Sequence, residues 1–363
     1  MQLTLCAPCL FGLEGLLSDE LKRLKMSGVA AQNGRVLFTG DFEEMVRANL
    51  CLRTAERVLI QLGSFPADTF ETLFEGVKAL PWGAFIPKNG AFPVKGYSLK
   101  SKLVSIPSCQ SIIKKAIVER LKLRHGTTWF AEDGERFRVQ FALQNDIATI
   151  YLDTSGNGLH KRGYRPRSGA APMRETLASA MVLLSRYKGG GVFADPFCGS
   201  GTLPIEAALI AKNRAPGINR RFDADKWGCV PKKLWTDARE AARADEYDKP
   251  YELWGGDIDG EALEAARENA ERAGVGDYIR FERANAGDYR PAEDAVTVTN
   301  PPYGERLGDI SDAEACYRLI PGNAERLYLL SPHPEFEQIF GRKADKKRKL
   351  YNGMIQCYLY MYF

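Results

Sequence analysis

The sequence predicts an α/β protein: an open, mostly parallel sheet in the carboxyl-terminal half, preceded by an α+β region. Three observations carry this. The apolar, β-branched run Ala295-Val296-Thr297-Val298-Thr299 reads as a buried parallel strand and ends in Asn300-Pro301-Pro302-Tyr303. Val192-Phe193-Ala194 leads into Asp195-Pro-Phe-Cys-Gly-Ser-Gly-Thr202 and an apolar stretch from Leu203 to Ala211, which is strand, glycine turn and helix. Tyr251 to Gly256 runs into Asp257-Ile258-Asp259, followed by helical periodicity from Glu261 to Ala273. Each break falls at a strand end, the edge where open α/β folds place their chemistry.

The residues at these breaks have distinct chemistry. Pro301 and Pro302 fix φ and remove two backbone donors, so their loop offers mainly acceptors: the Asn300 side-chain oxygen and nearby carbonyls. Tyr303 adds a flat face. Acceptors beside an aromatic plane suit an exocyclic amino group on a planar base, whereas the motif alone also reads as a proline turn closing a core strand. Gly199 and Gly201 allow a tight turn and close approach of a ligand, and the helix start supplies unpaired N–H groups. No Gly-Lys-Ser/Thr ending and no third glycine at dinucleotide spacing follow, which disfavours a phosphate loop. Asp195 suits a ligand with ammonium and hydroxyl groups, and Asp257 can accept both hydroxyls of a ribose. That acid lies beyond the about 20 residues of a single βαβ unit, so Lys212 to Lys249 is expected to be an insertion.

In this order, DPFCGSGT, GGDID and TNPPYGERL resemble the class I S-adenosylmethionine-dependent methyltransferases of the amino-methylating branch. Further upstream, Gly96-Tyr-Ser-Leu-Lys-Ser-Lys-Leu103, Cys109-Gln-Ser-Ile-Ile-Lys-Lys-Ala116 and Leu159-His-Lys-Arg-Gly-Tyr-Arg165 are similar to bacterial THUMP-domain RNA methyltransferases, among them those making N2-methylguanosine in large-subunit ribosomal RNA. The resemblance covers essentially the whole chain. It implies a ferredoxin-like domain over 1–55, a THUMP RNA-binding domain over 56–157, a linker over 158–172, and a Rossmann-like, seven-stranded methyltransferase domain over 173–363.

It also implies roles. S-adenosyl-L-methionine would be held by Asp195, Phe197, Gly199, Ser200, Gly201 and Thr202 at its methionine end, and by Asp257 and Ile258 at the ribose. Asn285 and Ala286 would meet the adenine, Asn285 standing where relatives usually carry an acid, and Asn300 would lie beside the cofactor. In the transfer itself, Asn300 and the Pro301 carbonyl would hold the hydrogens of a guanine exocyclic amine while Tyr303 stacks on the base. Holding both hydrogens localises a lone pair otherwise delocalised into the ring and aims it at the methyl group. A sulfonium leaves readily, so no strong general base is needed, and His125, His160 and His333 all lie away from the motifs. The target base must be unpaired or leave its stack. RNA contacts are expected from Lys100, Lys102, Lys114, Lys115, Lys161, Arg162 and Arg165.

Other classes compete. DNA amino-methyltransferases share the loop chemistry but not the THUMP-like region, and glutamine methyltransferases lack this amino-terminal half. Carbon methylation needs a nucleophilic cysteine in its own motif, whereas Cys316 and Cys357 have no such context and Cys198 belongs to the cofactor turn. A transfer-RNA guanine-N2 methyltransferase and a non-catalytic RNA-binding assembly factor remain the alternatives; cofactor binding discriminates the last.

Composition agrees with this reading. At 363 residues and 45% hydrophobic content, the chain can bury two or three cores. Eight mostly isolated cysteines suggest a reducing compartment, and Cys6-Ala-Pro-Cys9 has no second pair with which to build a metal site, so no metal is expected. There is no basic leader and no apolar run of membrane-spanning length, so a cytoplasmic protein, monomeric or weakly dimeric, is expected. The net charge of +4 divides unevenly. Residues 1–168 carry 23 Lys+Arg against 16 Asp+Glu, while 169–363 carry 27 against 30. Within the latter, Arg342 to Lys349 alone holds six basic residues and one acid, so basic charge gathers where a phosphate backbone would be met.

Periodicity and punctuation place the elements along the chain. The first unit reads as strand Leu3–Leu5, helix Gly12–Lys25, strand Arg35–Thr39 and helix Phe42–Leu50. The second has an amphipathic helix Thr69–Leu80, strand Phe92–Tyr97, helix Gln110–Lys122, and strands Phe137–Leu143 and Ala148–Asp153. Gly156–Pro172, rich in Gly, Arg and Pro, reads as a linker before helix Arg174–Tyr187. Asp309–Gly322 leaves room for only a brief helix before strand Arg326–Leu330, and aromatic Met354–Phe363 closes the sheet as one arm of an antiparallel hairpin.

Overall fold

In a computed structural model that describes residues 1–165, 173–303, 310–322 and 324–363, the chain builds two seven-stranded sheets. The first comprises β1 (Leu3–Pro8), α1 (Glu14–Arg23), β2 (Ser27–Gln32), β3 (Arg35–Gly40), α2 (Phe42–Cys51), β4 (Leu59–Pro66), α3 (Phe70–Lys78), β5 (Val94–Leu99), α4 (Ile106–His125), β6 (Arg138–Gln144) and β7 (Ile147–Asp153). Its strand order is β2-β3-β1-β4-β7-β6-β5. β4 is the seam: Ile60 pairs with Leu5 on one side and with Leu152 on the other. The ferredoxin-like and THUMP-like parts therefore share one hydrogen-bonded sheet.

Local chemistry sets the helix starts. Asp41 accepts from Glu43 N at 2.7 Å while Glu44 reaches back to Asp41 N at 2.9 Å, a reciprocal cap for α2. α4 begins four residues before the expected Gln110, because Ser105 caps it and Pro107 sits in its first turn; Gly126, at φ 61°, ends it. Two strands escape a periodicity reading. β2 is exposed along nearly its whole length and so lacks an apolar face, and β4 contains Gly63 and a shift of register.

The second sheet comprises α5 (Glu175–Leu184), β8 (Val192–Asp195), α6 (Thr202–Ala211), α7 (Lys232–Ala244), β9 (Glu252–Asp257), α8 (Gly260–Ala273), β10 (Ile279–Arg283), β11 (Val296–Thr299), α9 (Ile310–Leu319), β12 (Arg326–Ser331), α10 (Phe336–Phe340), β13 (Lys346–Asn352) and β14 (Ile355–Tyr362). The order is β10-β9-β8-β11-β12-β14-β13, parallel from β10 to β12, with β14 antiparallel to both of its neighbours. The chain order reverses between β8 and β11, so those two strand ends flank the crevice where such sheets bind ligands. β11 is buried throughout, as its β-branched sequence requires. α6 is buried on almost every side, which explains a helix with no polar stripe.

The two halves are packed together. One apolar cluster contains Leu5, Ile60, Phe137, Phe193 and Val298, so the core runs through both sheets. The segment expected to be a linker is, over its described residues 158–165, a packed strap in which Leu159, Arg162 and Tyr164 are buried; residues 166–172 lie outside the described residues. The expected insertion turns toward the amino-terminal half. Trp227 stacks on Phe137 at 4.8 Å and donates to Arg136 O at 2.8 Å, Arg138 pairs with Asp223 at 2.8 Å, and α7 packs on α2. Among the described residues, no helix is long and apolar enough to cross a membrane.

Candidate active site

β8 and β11 lie side by side, with Ala194 opposite Thr297, which brings their carboxyl ends together. There the Thr299 hydroxyl donates to Asp195 Oδ1 at 2.7 Å, and the Phe197 amide donates to the same oxygen at 3.1 Å. Asp195 is only 1% exposed. Burial pushes its carboxyl up to about 7, assisted by the nearby Asp257 charge and opposed by the two donors. An acid poised in this way ionises fully when a cation arrives beside it.

The glycine turn is fastened to the neighbouring strand. Gly199 N donates to Asp257 Oδ2 at 2.8 Å, Asp259 N donates to Asp257 Oδ1 at 3.0 Å, and Cys198 N donates to Gly256 O at 2.9 Å. Gly201, at φ +82°, opens α6, and a Cβ there would meet Ala266 Cβ at 3.0 Å and Phe281 Cζ at 3.1 Å. Only glycine fits both that backbone and that space. Ser200 O accepts from Asn269 Nδ2 at 3.1 Å, and the Thr202 hydroxyl accepts from Arg165 at 3.1 Å. Ile258 is an exposed apolar side chain immediately after Asp257.

Asn285 lies two residues beyond β10, exposed, with its Oδ1 accepting from Gly287 N at 2.9 Å; Ala286 beside it is buried. One lone pair of that oxygen is thus committed to its own turn.

At the end of β11, Asn300 is half-buried and, among the described residues, its Oδ1 has no hydrogen-bond partner. A buried acceptor without a donor is costly, so this oxygen is available to a donor from solvent or from a ligand. Pro301 is buried and Tyr303 half-buried, the Tyr303 hydroxyl accepting from Asn352 Nδ2 at 2.7 Å. Gly304 to Leu307 of the motif, and Asp309 of the following span, lie outside the described residues; the helix there, α9, runs ten residues.

The expected RNA contacts separate into groups. Lys100, Lys102, Lys115 and Lys161 are exposed, Lys102 pairing with Asp68 at 2.9 Å. Lys114 is held within its own domain by Glu132 at 2.5 Å, by Phe92 O at 3.1 Å and over the Phe92 ring. Arg165 pairs with Glu175 at 2.7 Å and turns toward the cofactor turn. The expectation for Arg162 is corrected by the structure. It is 3% exposed, faces Glu206 at 3.5 Å and donates to Leu159 O at 2.7 Å and Arg53 O at 2.5 Å, so no phosphate can reach it. A basic cluster in sequence does not distinguish a surface arginine from one that neutralises a buried acid. Burial also pushes the Cys6 and Cys9 thiols up to about 12, which opposes thiolate chemistry there.

Asn269 and Asn352 went unmarked in the sequence. Each lies on a regular element with no motif around it, and only the fold brings it to the site. The donor set as a whole fits S-adenosylmethionine: two acids at adjacent strand ends, a glycine turn with open space at Gly199, and an apolar side chain beside Asp257.

Comparison with known proteins agrees with this geometry. Residues 162–361 match the RMKL-like methyltransferase domain, 4–59 the RlmL ferredoxin-like domain and 67–153 the THUMP domain. The chain is similar to the Bacillus subtilis (strain 168) protein named "Putative RNA methyltransferase YpsC", 47% identical over 99% of this chain and 96% of that protein. It is 35% identical to the ribosomal RNA large subunit methyltransferase K/L of Syntrophotalea carbinolica over 96% of this chain; it spans about half, 52%, of that relative's length. Among solved structures, a Listeria monocytogenes protein described as a predicted N6-adenine-specific DNA methylase superposes with a TM-score of 0.94 at 44% identity, covering 100% of this chain and 96% of that one. SMU.472, solved in complex with SAH, gives a TM-score of 0.94 at 40% identity, covering 100% of this chain and 98% of its own.

Proposed function

This chain belongs to the RMKL-like methyltransferases, a family of THUMP-domain, class I S-adenosylmethionine-dependent RNA methyltransferases, and we propose that it methylates the exocyclic N2 amine of a guanosine in large-subunit ribosomal RNA. The observation that carries the reading is the Asn300 Oδ1 at the end of β11, which has no hydrogen-bond partner among the described residues. It accepts one amine hydrogen, the Pro301 carbonyl accepts the other, and Tyr303 supports the base plane.

When bound, S-adenosylmethionine supplies a methyl group on a positively charged sulfur that departs with the C–S electron pair. Asp195 accepts from the ammonium of the methionine end, Asp257 from the ribose hydroxyls, and Asn285 uses its remaining lone pair for the adenine amine. As the N–C bond forms, the amine nitrogen gains positive charge and then releases one proton to solvent, so acceptors already aimed at its hydrogens bind the transition state better than the ground state.

The ribosomal substrate is supported by the THUMP domain and by the names that relatives carry; the Listeria protein, whose name suggests DNA, superposes over the whole of this chain and so has the same amino-terminal half. Nucleoside mass spectrometry of ribosomal and transfer RNA, from cells with and without the gene, tests it. Loss of N2-methylguanosine from the large-subunit RNA is expected. Loss from transfer RNA alone, or an unchanged ribosomal profile, would contradict it.

A further inference from the structure

Resting on that reading, we propose that the β13–β14 hairpin docks the substrate RNA strand at the transfer site, and that Asn352 is a positioning residue for Tyr303. β13 is the edge strand of the second sheet and reads Lys346-Lys-Arg-Lys-Leu-Tyr-Asn352. Lys346, Lys347 and Lys349 are exposed on it. Glu337 neutralises Lys347 at 2.5 Å, and the Asp345 carboxylate accepts from Phe363 N at 2.9 Å. The strand nevertheless keeps a surplus of positive charge along an edge. Residues two apart on one strand face are about 6.6–6.8 Å apart, a repeat suited to successive phosphates of an extended single strand.

The inner face of the same strand ties this surface to the chemistry. Arg348 donates to Gly12 O at 3.3 Å, Leu350 is fully buried, and Asn352 Nδ2 donates to the Tyr303 hydroxyl at 2.7 Å. Cys357, which faces Leu350 across the hairpin, brings its Sγ within 3.7 Å of the same hydroxyl. The far end of the Tyr303 ring is therefore held by both strands, which fixes the plane on which a base would stack. The hairpin in turn is seated on the amino-terminal half: a Cβ on Gly12, at φ +89°, would lie 3.0 Å from Lys349 O. Its turn, Gly353 and the 98% exposed Met354, stays open to solvent. Phosphates held along β13 place a nucleotide beside Tyr303, and Asn352 holds the ring that receives it.

The test uses the full chain, S-adenosylmethionine and unmodified large-subunit ribosomal RNA. Replacing Lys347 and Lys349, which share the outer face, together by Gln should raise KM for RNA and lower the slope of log affinity against log salt by up to about two, with cofactor affinity unchanged. Asn352→Ala should lower the single-turnover rate by between about tenfold and a hundredfold with little change in RNA affinity. Tyr303→Phe, which keeps the ring and loses the anchor, should cost the same, and the double variant no more than either. Asn352→Asp, which can accept from the hydroxyl, should recover much of the rate. An unchanged salt slope and KM would overturn the docking role, and additive losses in the double variant would overturn the positioning role. Wild-type protein that transfers no methyl to any RNA would instead overturn the functional reading beneath both.

Discussion

The Asp257 carboxylate accepts the Gly199 amide at 2.8 Å, which fastens the end of β9 to the glycine turn after β8. The residue proposed to hold the ribose thus also shapes the loop proposed to hold the methionine.

Asp257→Ala is therefore expected to weaken S-adenosylmethionine binding by about 2–3 kcal/mol, the scale of hydrogen bonds to a charged group. Asp257→Asn keeps an acceptor toward Gly199 and should fall between Ala and wild type. Isothermal calorimetry decides; unchanged affinity in the Ala variant would move the ribose role to Asp259.

Asp195 predicts a pH dependence. Its carboxyl is raised by burial to about 7, so it is partly protonated at neutral pH before a cation arrives. Cofactor affinity should rise as pH increases from 6 to 8, by at most about tenfold per pH unit, and Asp195→Asn should flatten the profile. Stability moves the other way. The folded chain binds this proton more tightly than the unfolded chain, so the group's contribution declines as pH rises from about 4 to about 7. Thermal unfolding without cofactor checks this: the stability of wild type relative to Asp195→Asn should fall between about pH 4 and 7, and a pH-independent difference would contradict a raised acid.

Arg162→Ala should destabilise the fold by about 3–5 kcal/mol, because it leaves Glu206 buried and charged without its partner. Glu206 also accepts from the Tyr164 hydroxyl at 3.1 Å and from the Ser179 hydroxyl. Denaturant unfolding measures this. A variant of wild-type stability with weakened RNA binding would return Arg162 to the RNA surface.

The strand-end motifs were legible because catalysis concentrates them. Asp195, Gly199, Gly201, Asp257 and Asn300 each sit at a break where a strand pattern stops, and the fold gathers those three breaks along one sheet edge. The joining of the two halves was not legible. Gly156 to Arg165 has linker composition, yet Arg162 and Tyr164 reach Glu206 on α6, and nothing in a polar, glycine-rich stretch announces a buried acid elsewhere in sequence. β2 was missed because an edge strand exposed on both faces has no period to read. Asn352 was missed because its partner, Tyr303, lies 49 positions away.

The account turns on Asn300. In the proposed role its acceptor meets an amine that gains charge only as the methyl is transferred, so Asn300→Ala should leave folding and cofactor affinity nearly intact while slowing transfer by about a hundredfold or more. Asn300→Asp keeps an acceptor and adds negative charge, so it should retain more activity than Ala. Single-turnover methylation of unmodified large-subunit ribosomal RNA is the direct measurement. A rate loss confined to the transfer step, ordered wild type, Asp, Ala, is the result predicted; equal rates for wild type and Asn300→Ala would contradict it.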